Sequence, residues 1–341
     1  MLFFNAIMLK TIKRKLDPAR YQGPGKTRQY FEGWYYKLVD KQELYKFAVI
    51  PGIYIGPNQK SHCFVQVFDG VSNQSHYFSF PITDFHASEH GFNIQLQSNS
   101  FSSDTLKLDL KNKSISLQGE LVLTNRVLWP STLLSPGIMG WYAWMPFMEC
   151  YHGIVSLDHG LQGHLSINGE QTNFTGGKGY TEKDWGRSFP EAWIWCQSNH
   201  FRTGNTSLTG SIAIIPWIHR PFPGYIFGLW HQDKLYRFTT YTGARLTRFD
   251  LDHNKVTIEL EQKQYRLGIV AYRTSGGYLQ APTLNGMSHR ISETLSSSME
   301  IILTRITKSG SEIILQDMGR HAGVETAGNL SRLLEMYNHR P

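Results

Sequence analysis

From Tyr30 onward the chain is written in short apolar runs, many of them alternating with polar residues, and the runs are broken by Gly, Asn, Asp and Pro. Alternation with period two puts successive side chains on opposite faces of an extended strand. In the first half, strands are predicted at Tyr45 to Ile50, Cys63 to Phe68, His76 to Phe80, Phe92 to Leu96, Thr105 to Leu110, Ser114 to Leu123 and Gly163 to Ile167. The series continues with Ser207 to Ile215, Tyr225 to Leu229, Lys234 to Thr240, Lys255 to Leu260, Gln264 to Ala271 and Met299 to Thr304. Closely spaced strands with no helical periods between them predict antiparallel barrels or sandwiches, not a parallel α/β sheet.

Helical signals are few. Leu330, Leu333, Leu334 and Tyr337 have helical spacing, which predicts a C-terminal helix within Glu325 to Tyr337 that covers a barrel. The segment Leu128 to Phe147 is rich in Trp, Leu and Met, but Pro130, Pro136 and Pro146 bar a regular strand or a long helix there. It reads either as a large apolar loop, serving as a lid or a membrane-touching surface, or as a buried connection. The turn-rich stretch NGEQTNFTGGKG divides two strand-rich halves. The expected layout is therefore a β domain over 25–172, a second over 173–325 and a helix over 326–341.

Composition narrows the classes of function. The chain has 341 residues, 13% aromatic and only 18% charged, enough for two apolar cores. Its formal net charge of +7 would suit nucleic acid or an anionic surface if the charges were clustered, and they mostly are not. Acids interleaved with the aromatic blocks would repel phosphates, so no nucleic-acid partner is expected. The one basic run, Lys10 to Lys15, follows the apolar stretch Leu2 to Leu9. That order and length fit neither a signal peptide nor a spanning helix; the stretch reads as a frayed helix or as a point of peripheral membrane contact. Three cysteines without a CxxC pair predict neither disulfides nor a cysteine zinc site, and make a reducing cytoplasm the default compartment. Phosphate-loop, dinucleotide, HExxH and GxSxG motifs are absent, and no histidine pair has metal-ligand spacing. No metal is expected.

Three segments concentrate aromatic and ionisable residues: FEGWYYK from Phe31, FMECYHG from Phe147, and GKGYTEKDWGRSFPEAWIWCQSNHF from Gly177. In a strand, Tyr180, Glu182 and Asp184 share one face, and Trp193 and Trp195 likewise share one. A carboxyl group set among tryptophans loses hydration and tends to keep its proton near neutral pH, which makes it a candidate general acid. The competing reading pairs Glu182 and Asp184 with the neighbouring Lys183, with Lys37 or with Arg187, and leaves the tryptophans as core. Glu32 and Glu149 read as buried partners of Arg187 or Lys37.

These three blocks, in this order, resemble the tocopherol cyclase family. The related pattern of the carotenoid 1,2-hydratase and AttH group has a tyrosine, a carboxylate two residues on, Trp-Gly and then Trp-x-Trp; here these fall at Tyr180, Glu182, Trp185-Gly186 and Trp193-Ile194-Trp195. The resemblance implies two lipocalin-like β domains in tandem and a cofactor-independent reaction. An acid protonates a prenyl double bond, and the carbocation is captured by a phenol oxygen in a cyclase or by water in a hydratase. It further implies Glu182 as proton donor, Asp184 as its helper, and His152, Tyr180 or Tyr35 as acceptor of the phenolic proton. Trp34, Trp185, Trp193 and Trp195 would form the cation-facing walls, with Asn199 beside a quinol hydroxyl. The expected partner is an apolar prenylated small molecule; a non-catalytic carrier of such molecules is the alternative from another class.

Overall fold

The computed structural model describes residues 2–56, 61–284 and 286–339. It is mainly β, with antiparallel strand pairings in both large sheets among the described residues, and forms two compact units. The first comprises Met1–Asp69, Gln74–Phe189 and Ala281–Ser288; the second comprises Gly70–Asn73, Pro190–Gln280 and His289–Pro341.

In the first unit, the strand Tyr30–Val39 lies between Lys46–Ile55 and Lys178–Gly186, and Cys150–Ile167 pairs with the far side of Lys178–Gly186. Side chains from both ends of the strand order, Phe47 and Phe78 from one and Ile94 and Leu108 from the other, meet in a single core, so the sheet curls over on itself. The alternation in Thr105–Lys111 is plain in its burial, with Leu106, Leu108 and Leu110 inside and Lys107, Asp109 and Lys111 outside. The second unit repeats the plan. Phe238 near one end of its sheet and Phe249 at the other pack into one core with Ile194, Leu208 and Ile258. Two curled antiparallel sheets, each closed round its own core, constitute a lipocalin-like pair.

The join between the units falls at Phe189/Pro190, beyond the Gly-rich stretch where turn composition had put it. The reason is pairing. Glu170–Asn173 is a short strand on Cys150–Ile167, Phe174 is fully buried in the first core, and Lys178–Gly186 is a central strand of the first sheet. The C-terminal helix is also shorter than its periodicity predicts, running over Leu330–Asn338, with residues 340–341 outside the described ones. Glu325 and Ala327 pair with Trp195 and Trp193, which keeps them in the long strand Gly310–Gly328, and Asn329 caps the helix by accepting from the Arg332 amide. Leu333 is fully buried in the second core, as a helix covering a barrel requires.

At the N-terminus the helix Leu2–Leu16 leads into the first unit; the side chains of residues 2–8 lie outside the described ones. Among the described residues no helix is long and apolar enough to cross a membrane. All three cysteines are free.

Candidate active site

Strand alternation sorts the Lys178–Gly186 strand into two faces with different chemistry. Thr181, Lys183 and Trp185 occupy one face; Tyr180, Glu182 and Asp184 occupy the other.

On the first face, Lys183 is fully buried and its Nζ lies 2.6 Å from Glu32 Oε1. Trp34 and Trp185 hold that ammonium between their rings, with centroids 4.8 and 4.7 Å away. The Glu32 carboxylate also accepts from the Tyr30 hydroxyl and, with both oxygens at 2.9 Å, from the Gln22 amide. Burial pushes the Glu32 carboxyl up and the Lys183 ammonium down, and each group opposes the other's shift. Donors from Lys183, Tyr30 and Gln22 converge on the one carboxyl group. Lys183 also donates to the Arg20 carbonyl, and Trp34 Nε1 donates to the Ala19 carbonyl at 2.8 Å, so this cluster pins the segment after the N-terminal helix. The partner of Glu32 is thus Lys183, not Arg187 or Lys37, and the cation that Trp34 and Trp185 face is the protein's own.

On the second face, Glu182 is buried, its side chain 7% exposed, and its Oε2 accepts from the Tyr180 hydroxyl. The neighbouring strand Cys150–Ile167 brings His152 into register with Asp184. His152 Nδ1 lies 2.9 Å from Asp184 Oδ1, while Nε2 lies 3.5 Å from Glu182 Oε2. The ring thus bridges the two carboxyl groups, with Nδ1 facing Asp184 and Nε2 facing Glu182. Cys150 Sγ lies 3.9 Å from Asp184 Oδ1, and burial with the nearby carboxylates pushes its thiol pKa up.

The register across Tyr30–Val39 carries this face onward. Tyr35 stands opposite Glu182, and Gly33 stands opposite Asp184 and, on its other side, opposite Gly52. The two glycines add no side chain of their own beside Asp184, and the Phe64 ring fills the space over Gly52, where a Cβ would come within 2.4 Å of it. Beyond them is an aromatic cluster of Phe31, Tyr54 and Phe64, joined by Tyr77 and Phe189. Phe64 stacks on Tyr77 at 5.1 Å, and Phe31 meets Phe189 edge-on at 5.2 Å. The aromatic wall on the acid's own face is this phenylalanine and tyrosine cluster. Its signal was present in the parity of FEGWYYK, which sets Phe31, Gly33 and Tyr35 on one face and Trp34 on the other.

The structure therefore brings together Tyr180, Glu182, Asp184, His152 and Tyr35, and separates Trp34 and Trp185 from them. Trp193, Trp195 and Asn199 belong to the second unit. There Trp193 Nε1 donates to Glu325 Oε2 at 3.0 Å, the Trp195 ring lies over Gly323, and Asn199 Oδ1 meets His200 Nδ1 at 3.0 Å.

His152, Glu182 and Asp184 also offer donor atoms within 4.8 Å of one another, a set able to hold a divalent cation. Sequence spacing does not reveal it, since the histidine comes from one strand and the carboxylates from the next.

The profile of tocopherol cyclase-like proteins matches residues 28–328. The chain belongs to this family. Among characterised relatives it is 29% identical over 198 residues to the chloroplastic tocopherol cyclase of Zea mays and 28% identical over 201 residues to the probable chloroplastic tocopherol cyclase of Oryza sativa subsp. japonica. Each match covers 55% of this chain but only 41% and 42% of the plant proteins, so the chain matches less than half of their length. Among solved structures, CghA with Sch210972 aligns over 88% of this chain and 89% of its own, with a TM-score of 0.53 and 8% identity, a likeness of fold alone. An AttH protein from Nitrosomonas europaea aligns over 87% and 92%, at 13% identity and a TM-score of 0.48. Trp185-Gly186 lies in the first unit and Trp193-Ile194-Trp195 in the second.

Proposed function

We propose that this tocopherol cyclase-like protein is a cofactor-independent cyclase that protonates the prenyl double bond of an apolar prenylated quinol and closes a chromanol ring. The observation that supports it most directly is a buried carboxyl group, Glu182, held by Tyr180 and faced by a base, His152, on a sheet face that continues into an aromatic wall.

Each group has a task. Glu182 is the proton donor, and Tyr180 positions it by donating to its Oε2. Transfer of that proton to the less substituted alkene carbon leaves a tertiary carbocation. The faces of Phe31, Tyr54, Phe64 and Tyr77 stabilise a cation by about 0.5 to 2 kcal/mol each. The phenol oxygen attacks, a C–O bond forms, and the phenolic proton passes to His152 Nε2, whose other nitrogen is held by Asp184. Return of that proton from His152 to Glu182 restores the resting state. One proton enters and one leaves, so the reaction is an isomerisation needing neither oxidant nor reductant. A positioned acid of this kind contributes on the order of a hundred- to ten-thousand-fold in rate.

The test is turnover of a prenylated hydroquinone in deuterated water. A chromanol carrying one deuterium on carbon is expected. Incorporation of solvent oxygen without ring closure would identify a hydratase at the same site, and no product across a panel of quinols and prenyl alkenes would overturn the proposal.

A further inference from the structure

The segment between the strands Ser116–Thr124 and Cys150–Ile167 has no charged residue from Val127 to Met148. One set of its apolar side chains is buried: Trp129, Ile138, Met139, Ala143 and Met148. A second set points out. Leu128 is 57% exposed, Leu133 58%, Leu134 85% and Trp141 41%. The loop does not present them by being loose. Trp144 Nε1 donates to the Leu133 carbonyl at 3.0 Å, the Thr132 and Ser135 backbones close a turn on each other, and a short 3₁₀ turn spans Gly140–Trp144. A fixed loop that buries one set of its apolar residues and holds another in water indicates a surface built to be covered.

Charge beside the patch selects the cover. Lys15, in the last turn of the helix Leu2–Leu16, donates from Nζ to the Ala143 carbonyl at 2.6 Å and lies over the Tyr151 ring, so the helix end is fastened to the loop. That helix contains no acidic residue and carries Lys10, Lys13, Arg14 and Lys15 toward its C-terminal end; Leu9 on it is 55% exposed. Lys13 is exposed and Lys10 pairs with the exposed Glu89. Exposed leucines and a tryptophan flanked by a basic helix match the interfacial region of a bilayer, where apolar side chains enter the acyl boundary and lysines meet anionic headgroups.

We infer that the Leu128–Trp141 loop tip and the basic end of the N-terminal helix together dock this protein onto a membrane surface containing anionic lipid. The inference does not depend on the proposed reaction, because its test uses no substrate.

The full chain is mixed with vesicles of phosphatidylcholine alone, or of phosphatidylcholine doped with phosphatidylglycerol, and floated through a density gradient. Flotation is expected with the doped vesicles, much less with phosphatidylcholine alone, and declining with added salt. Leu133→Glu/Leu134→Glu should lower the vesicle-bound fraction by about ten-fold or more, because it puts two charges at the most exposed apolar positions. Lys13→Glu should reduce the preference for the doped vesicles. All four side chains of the patch and Lys13 are at the surface, so these variants should melt with the native protein. In a second measurement, the emission of Trp141 should shift to the blue on addition of doped vesicles, and Trp141→Phe should remove that shift. Equal flotation of the native and double-glutamate proteins would overturn the inference, as would failure to float with either vesicle. It would also be overturned if the native protein were a dimer that the double substitution splits, which would make a second copy of the chain the cover.

Discussion

His152 and Asp184 come from neighbouring strands and meet across them, Nδ1 to Oδ1, at 2.9 Å. The contact orients the ring, with Nε2 toward Glu182. Asp184→Asn should therefore act through His152 without touching the substrate. Turnover should fall by roughly ten- to a hundred-fold, the range for a group that orients a functional histidine. Ligand affinity should stay close to native. Steady-state kinetics on the prenylated quinol would check this, and a change confined to KM would refute the orienting role.

The same three side chains should bind a divalent cation in place of the proton. Zn²⁺ is expected to inhibit turnover, chelation to restore it, and Asp184→Asn to weaken the inhibition. Because ligands must lose protons to bind metal, inhibition should strengthen as pH rises. Calorimetric titration with Zn²⁺ reads the binding separately from the chemistry.

One residue along, on the opposite face, a substitution should be read in stability and not in chemistry. Lys183→Met strips the buried Glu32 carboxylate of its cation and is expected to cost about 3 to 5 kcal/mol. Adding Glu32→Gln should recover part of the loss, since the uncompensated charge is removed. Urea denaturation of the single and double variants measures both.

His159 gives the fold an acid-side dependence. Burial pushes its imidazole down to about 3 from an ordinary value of 6.5, with Arg126 adding to the shift. Its Nδ1 meets Ser156 Oγ at 3.0 Å, and Gly179 stands opposite, where a Cβ would come within 2.2 Å of Nε2. As pH falls below 6.5 the unfolded chain takes up the proton while the folded chain does not until near 3. The stability from the neutral buried ring is complete above 6.5 and is lost progressively between the two values, by roughly 1.4 kcal/mol per pH unit. His159→Gln should flatten that slope. Urea midpoints at about pH 7.5 and about pH 5 check it.

How much of this was legible in the sequence follows from what each feature depends on. Strands with one wet face, such as Thr105–Lys111, display their period directly. Cys150–Ile167 does not, because most of its residues from Tyr151 to Leu161 are buried and its register shifts at two places, so no alternation survives. Gly310–Gly328 is hidden for a different reason. It crosses from pairing with Ser297–Thr307 to pairing with Ala192–Ser198, and its end runs into the Glu325 to Tyr337 stretch that reads as a helix. In the site, the shared face of Tyr180, Glu182 and Asp184 follows from parity within one strand. The meeting of His152 with Asp184 depends on the register between two strands far apart in sequence, which no local pattern states. Trp34 and Trp185 show the cost of reading proximity in sequence as proximity in space: each lies within two residues of an acid along the chain and faces away from Glu182.

The most direct measurement of the central claim is Glu182→Gln, assayed for both turnover and binding. Glutamine keeps the volume and the acceptor for Tyr180 but has no proton of comparable acidity. The variant should bind a prenylated quinol with near-native affinity, melt with the native protein, and form chromanol at a rate lower by about a hundred- to ten-thousand-fold. Chromanol formation at the native rate would contradict the account.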